Sequence, residues 1–169
     1  MAHFYKLYEN EEELIKIASI FIKEGLGAGQ YCFWAIPSRL NEPYILSCMA
    51  RTIRMIEHYK NIGQVEIMDS AKWYIPEGRF DIDKTLEKWK TLYENVKLKG
   101  FNGLRVIGDA SWAKEKDWGL LMEYEAKVNE TLKNYNDLTA LCMFDVSGIK
   151  SIVHISQVVN NHEDCFISD

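Results

Sequence analysis

Several things are missing from this sequence, and each absence narrows what the chain can do. No apolar run approaches the roughly 20 residues needed to span a bilayer, so no membrane association is expected. No basic block or stripe appears. The 20 Lys and Arg against 25 Asp and Glu leave a net charge of −5, and direct binding to nucleic acid is not expected. Cys32, Cys48, Cys142 and Cys165 are widely spaced and form no CxxC pair, which fits reduced, buried thiols in a cytoplasmic chain. The start, MAHFYKLYENEEE, is too polar and acidic for a signal peptide. There are three prolines, no low-complexity linker and no internal repeat, so residues 1–169 are expected to form a single domain.

A phosphate-binding loop is also missing. Gly25, Gly27 and Gly29 have GxGxG spacing but precede a strand, whereas a phosphate cradle needs strand, glycine loop and helix in that order. They read as a helix end and a turn. After the strand Tyr31–Ile36 come Pro37, Ser38 and Arg39, with no GxxxxGK[ST]. ATP use by that mechanism is not supported, and no cofactor is expected.

What is present alternates between strands and helices. Strands are expected near 31–36, 65–68, 103–108, 138–144 and 165–167, with residues 3–8 as a short strand or an extended lead-in. Helices are expected from Asn10 to the glycines, from Pro43 to about Tyr59, from Asp81 to about Lys99, over 116–135 and over about 148–159, with Ser70–Arg79 irregular. The alternation predicts an α/β fold, a mostly parallel central sheet with helices on both faces.

The organising stretch is GFNGLRVIGDASW, residues 100–112. Leu104, Val106 and Ile107 form a buried strand, in which Arg105 must find a partner or an exit to solvent. In open α/β sheets, ligands bind outside the carboxyl ends of the strands. Asp109, Ser111 and Trp112 stand at such an end, and Asp69 and Asp145, also at strand C-termini, are expected to line the same edge of the sheet. Trp73 and Tyr74 sit on a loop able to close over an apolar ligand. Glu125 and Asn129, four apart on a helix, share one side with Met122 and can face the same site. The same residues also admit a purely structural role: Asp109 capping its turn, the rings packed into the core, Glu125 and Asn129 in solvent.

Other chemistries are thinly supported. His3, Cys32, Cys142 and a carboxylate are ligand types that zinc favours, but they lack local spacing. No metal is expected, with His3 hydrogen-bonded inside the fold. Cys32 and Cys142 lie in apolar strands, where thiols are usually inert. Asp109 with Glu125 would need environments that split their pKa values.

His3–Phe4–Tyr5, GQYCFWAIP, PEGRFD, KGFNGLRVIGDASW, LMEYEAKVNE and ALCMFD, in that order, resemble the MEDS domain, a sensory domain named from methanogens, methylotrophs and a dichloromethane-responsive regulator. The resemblance runs from His3 to about Val159. It implies a RecA-like three-layer sandwich lacking the phosphate-binding loop, and a non-catalytic sensor of simple hydrocarbon or one-carbon derivatives. Its output would be a histidine kinase or helix-turn-helix module, in cis or in trans, and a homodimer is compatible with it. The family's motif positions fall on His3, Cys32, Arg105, Asp109, Trp112, Glu125, Asn129, Cys142 and Asp145. Phe144 stands where a tyrosine is common, which removes one hydroxyl. The expected ligand-binding set is Arg105, Asp109, Ser111, Trp112, Glu125, Asn129, Trp73, Tyr74, His3 and Asp145. The alternative is a small enzyme or metal-binding module using Asp109 and Glu125, or His3, Cys32 and Cys142.

Overall fold

Strand β2 (Tyr31–Ile36) is buried at every position, as expected of a strand covered on both faces. Its side chains alternate. Cys32, Trp34 and Ile36 enter one apolar core, and Tyr31, Phe33 and Ala35 enter another. The computed structural model describes residues 1–167. Beside β2 stand β1 (Ala2–Tyr8), β3 (Val65–Asp69), β4 (Leu104–Asp109), β5 (Leu138–Asp145) and β6 (Asp164–Cys165). The order across the sheet is β3-β2-β4-β5-β1-β6, and every pairing is parallel.

Helices α1 (Glu11–Gly27), α2 (Glu42–Met49) and α3 (Ile56–Asn61) cover the first face. The second face carries α4 (Ser70–Tyr74), α5 (Ile82–Leu98), α6 (Trp118–Leu132) and α7 (Ile152–Asn160). This is the three-layer α/β arrangement expected from the alternation. The α1 start is built as its sequence suggests: Asn10 Oδ1 accepts from Glu13 N at 3.0 Å, and Glu13 Oε2 accepts from Glu9 N at 2.8 Å.

Two local expectations need correction. The helix expected from Pro43 to Tyr59 is split into α2 and α3. The break falls at Thr52 and Ile53, two β-branched residues, where Thr52 N bonds Met49 O and Ile56 N bonds Ile53 O in tight turns. The stretch 70–79 is not irregular throughout. Asp69 Oδ1 accepts from Ala71 N at 2.7 Å and so caps the short α4. The lead-in 3–8 is a full strand, and it lies inside the sheet between β5 and β6. Among the described residues no helix is long and apolar enough to cross a membrane.

Candidate functional site

Two polar regions stand out, and β5 contributes to both. The first is buried. On β1, His3 faces the second core, as do Ala140, Cys142 and Phe144 on the neighbouring β5, where His3 pairs with Ala140. Helix α6 lies over this pair of strands and presents Glu125 and Asn129, one turn apart. The chain leaving α7 adds His162. Ligand atoms of His3, Glu125, Cys142 and His162 all lie within 4.8 Å of one another.

The hydrogen bonds fix the orientation of each ring. Asn129 Nδ2 donates to Asn161 O at 2.6 Å, so its Oδ1 is the atom that meets His3 Nδ1 at 2.9 Å. A carbonyl oxygen only accepts, so His3 Nδ1 carries hydrogen. His3 Nε2 then points at Cys142 Sγ, 3.2 Å away, and at Glu125 Oε2, 3.3 Å away. His162 Nδ1 likewise donates to Val158 O at 2.6 Å. Its Nε2 is buried with no hydrogen-bond partner and stands 3.7 Å from Glu125 Oε2. Cys142 Sγ lies 3.4 Å from the same carboxylate oxygen.

Burial pushes Glu125 up, but the His3 hydrogen bond and the His162 and His3 charges outweigh it and hold the carboxyl below its usual range. Burial and the adjacent Glu125 push the Cys142 thiol well up. Burial lowers His162, with Glu125 opposing.

The second region is the carboxyl edge of the sheet. Three strand-terminal aspartates make the same turn there. Asp69 accepts from Ala71 N at 2.7 Å, Asp109 from Ser111 N at 2.9 Å, and Asp145 from Ser147 N at 2.8 Å. Asp69 and Asp145 are partly open, whereas Asp109 is fully buried. Its Oδ2 accepts from Tyr8 Oη at 2.7 Å, and the Ser111 hydroxyl bonds Oδ1. Burial raises the Asp109 carboxyl above its ordinary value despite Ser111, Tyr8 and Arg39. Above this pair opens a cleft of about 250 Å³, lined by Arg39, Ala110, Ser111, Ala113, Lys114, Glu115, Trp118, Phe144, Asp145, Ser147, Gly148 and Ile149. Arg39 Nη2 stands 3.8 Å from Asp145 Oδ2. The Phe144 ring lies between the regions, 6.3 Å from Trp118 and 5.9 Å from His162 between ring centres.

The residues singled out by sequence thus separate into groups. Ser111 and Asp145 line the cleft, with Asp109 beneath it. His3, Glu125 and Asn129 meet around Cys142. Trp112 and Tyr74 stack at 5.2 Å in the second core, with Phe80 4.5 Å from Trp112. Gly108 is needed there, because a Cβ would strike the Tyr74 hydroxyl. Trp73 packs on Phe33 and Trp89. Arg105 turns to the other face, bonding Gln30 Oε1 and Phe21 O at 3.0 Å and Glu24 Oε2 at 2.7 Å. Cys32 is also on that face, donating to Ile22 O, far from the histidines. His162 carries no sequence signal. Arg39 was visible only as part of a loop without a phosphate motif.

The chain can also be compared with known proteins. Transcriptional repressor DcmR of Methylorubrum extorquens is 24% identical over 166 residues, 97% of this chain and 59% of the relative. The large ribosomal subunit protein bL9 of Cytophaga hutchinsonii is 33% identical over 95 residues, covering 56% of this chain and 64% of that protein. The chain therefore spans less than two-thirds of the length of either relative. The MEDS family, described as the methanogen/methylotroph, DcmR sensory domain, matches residues 2–163. By that match over nearly its whole length, this chain belongs to the MEDS family of sensory domains.

Proposed function

We propose that this domain is a non-catalytic sensor that holds a simple hydrocarbon or one-carbon derivative in the carboxyl-edge cleft. The observation that carries the reading is the placement of that cleft. It lies where parallel α/β sheets bind ligands. It also combines apolar walls, Phe144 and Trp118, with a few polar groups, Arg39, Ser111 and Asp145. Asp109 and Tyr8 form its buried support. The likeness to a transcriptional repressor favours a regulatory output, supplied by a kinase or helix-turn-helix module in cis or in trans. A cytoplasmic setting and a homodimer are compatible with this use.

Catalysis has one observation in its favour. Cys142, His3 and Asn129 stand in the thiol–imidazole–amide order used by nucleophilic cysteine enzymes. A catalytic thiolate needs an electropositive neighbour, however, and Glu125 places a carboxylate beside the sulfur.

The test is titration of the folded domain with dichloromethane, methanol, methylamine and methanethiol, followed by amide NMR. Saturable shifts at Ser111, Trp118 and Asp145, with every compound recovered unchanged, are expected. Shifts confined to other surfaces, or conversion of a compound, would overturn the reading.

A further inference from the structure

The buried tetrad is short of donors. Both Nδ1 hydrogens are committed outward, to Asn129 and to Val158 O. Facing inward are two imidazole Nε2 atoms, a carboxylate oxygen and a sulfur, with one thiol proton among them. Such a cluster needs positive charge at its centre, supplied either by extra protons or by a metal ion. The outward pairing of each Nδ1 is the arrangement that orients histidines as metal ligands and fixes the tautomer that binds.

The distances suit a metal ion. For a tetrahedral zinc ion, bonds of about 2.0–2.1 Å to N and O and about 2.3 Å to S put neighbouring ligand atoms about 3.3–3.6 Å apart. The four recorded separations are 3.2 Å (His3 Nε2 to Sγ), 3.3 Å (His3 Nε2 to Oε2), 3.4 Å (Sγ to Oε2) and 3.7 Å (His162 Nε2 to Oε2). Four of the six edges of a tetrahedral site are thus near the right size, and the other two are within 4.8 Å. The 3.7 Å separation is too long for a hydrogen bond, so hydrogen bonding within the tetrad leaves His162 Nε2 unpaired.

We propose that His3, Glu125, Cys142 and His162 bind one Zn²⁺ ion in a closed, tetrahedral site, with Asn129 and the Val158 carbonyl holding the two histidines. Binding releases the thiol proton to solvent, so the sulfur coordinates as thiolate. The dication with one thiolate and one carboxylate then gives a site of zero net charge, which suits burial. The carboxylate that opposes a free thiolate is tolerated once the cation is present. Sulfur and imidazole donors select against Mg²⁺ and Ca²⁺. Access exists: a surface hollow lined by Met1, Asn129, Lys133, His162 and Glu163 opens beside the site. The ion would tie β1, β5, α6 and the segment after α7 together. This set differs from the one considered from sequence, since Cys32 is absent and His162 takes its place. It is also independent of what the carboxyl-edge cleft binds.

The experiment loads the purified chain with Zn²⁺, or with Co²⁺ as a spectroscopic probe, removes unbound metal and measures content by elemental analysis. About one equivalent of zinc is expected per chain. Cobalt should give the intense visible bands of a tetrahedral ion and a thiolate charge-transfer band. Cys32→Ser should keep both, whereas Cys142→Ser should lose the charge-transfer band. Should Cys142→Ser fail to fold, urea unfolding of the parent provides the second measurement, since an ion that ties these four segments together should raise its midpoint. Less than about a tenth of an equivalent on a folded, zinc-exposed parent overturns the site. So does a cobalt spectrum without a thiolate band, or an unfolding midpoint that zinc leaves unchanged.

Discussion

The tetrad and the carboxyl-edge cleft share strand β5 but are built by opposite means. In the tetrad, three elements and the segment after α7 contribute side chains to a buried cluster, and both rings are held from behind by an outward hydrogen bond. In the cleft, Arg39 comes from the turn after β2, whereas Ser111 and Asp145 stand on the turns that follow β4 and β5. Those turns are closed by their own aspartates, and the space above them is open. A site of the first kind is made by packing and fails when packing fails. A site of the second kind rests on local turns over a finished core, so its side chains can change without the fold changing. The comparison therefore predicts large stability effects and no effect on cleft binding at the tetrad's supports, and the reverse at the cleft's rim.

The largest effect should come from His3→Ala. It strips a partner from Asn129, Cys142 and Glu125 at once and leaves a buried carboxylate with weak donors. Removing one partner of such a buried pair typically costs about 3–5 kcal/mol. Urea unfolding followed by far-UV circular dichroism should show a midpoint shift of that size. A shift no larger than that of a surface substitution would show that the tetrad is not held as a unit.

Next is Tyr8→Phe, which tests how firmly the cleft is anchored to the core. The lost hydrogen bond to buried Asp109 should cost about 1–3 kcal/mol, with a pH signature. Burial, opposed by Ser111, Tyr8 and Arg39, holds the Asp109 carboxyl above its unfolded value. The folded state therefore keeps this proton to higher pH than the unfolded chain does. That contribution to stability is complete below the unfolded carboxyl value. It is lost as pH rises through the folded one, with a slope of at most about 1.4 kcal/mol per pH unit. The tyrosine hydroxyl favours the ionised form, so its removal should cost more as pH rises across that window. A cost that stays flat in pH would mean that Asp109 does not titrate there.

Part of the cleft was legible in the sequence, where its logic is local. A strand ending in aspartate, followed two residues later by serine, forecasts both the turn and the edge on which it lies, as at Asp109–Ser111 and Asp145–Ser147. Glu125 and Asn129 were also legible as a pair, since helical spacing alone puts them on one side. Their destination was not legible. It depends on β1, the first strand in the chain, lying between β5 and β6, and strand order is a matter of non-local pairing that periodicity does not encode. His162 was invisible for the same reason. Nothing in VNNHED marks it, and only the pairing of β1 with β6 brings that segment back to His3. The aromatic residues Trp73, Tyr74 and Trp112 were legible as apolar mass. Whether rings pack inward or line a pocket depends on the neighbours they meet, here Phe33, Trp89 and Phe80.

A smaller effect, read on binding, is expected for Trp118→Ala. The indole is half-buried at the cleft wall, stacked on His154 at 4.2 Å, with its Nε1 donating to Gln157. A ligand seated against it should lose about 1–2 kcal/mol of affinity, about five- to thirtyfold, from the apolar surface removed. Amide NMR on a variant shown to be folded gives the dissociation constant. Unchanged affinity would move the ligand off this wall.

The smallest effect should be that of Arg105→Met, which separates a residue of the fold from a residue of the site. The guanidinium lies 4.5 Å over the Phe21 ring and bonds Gln30, the Phe21 carbonyl and Glu24, all on the α1 side of the sheet. Methionine retains an apolar stem that can cover Phe21. Glu24 is half-exposed and regains water when the pair is broken, so the ion pair itself contributes little. The Phe21 carbonyl and the Gln30 amide lose partners near the helix end, where solvent is close. A net loss of about 0.5–1.5 kcal/mol follows, within the range of a single partly exposed hydrogen-bonding group. Because none of these contacts reaches the carboxyl edge, affinity for a cleft ligand should match that of the parent. If Arg105→Met instead weakens binding several-fold while the fold is intact, the ligand lies on the α1 face of the sheet, and the division between the two regions must be redrawn.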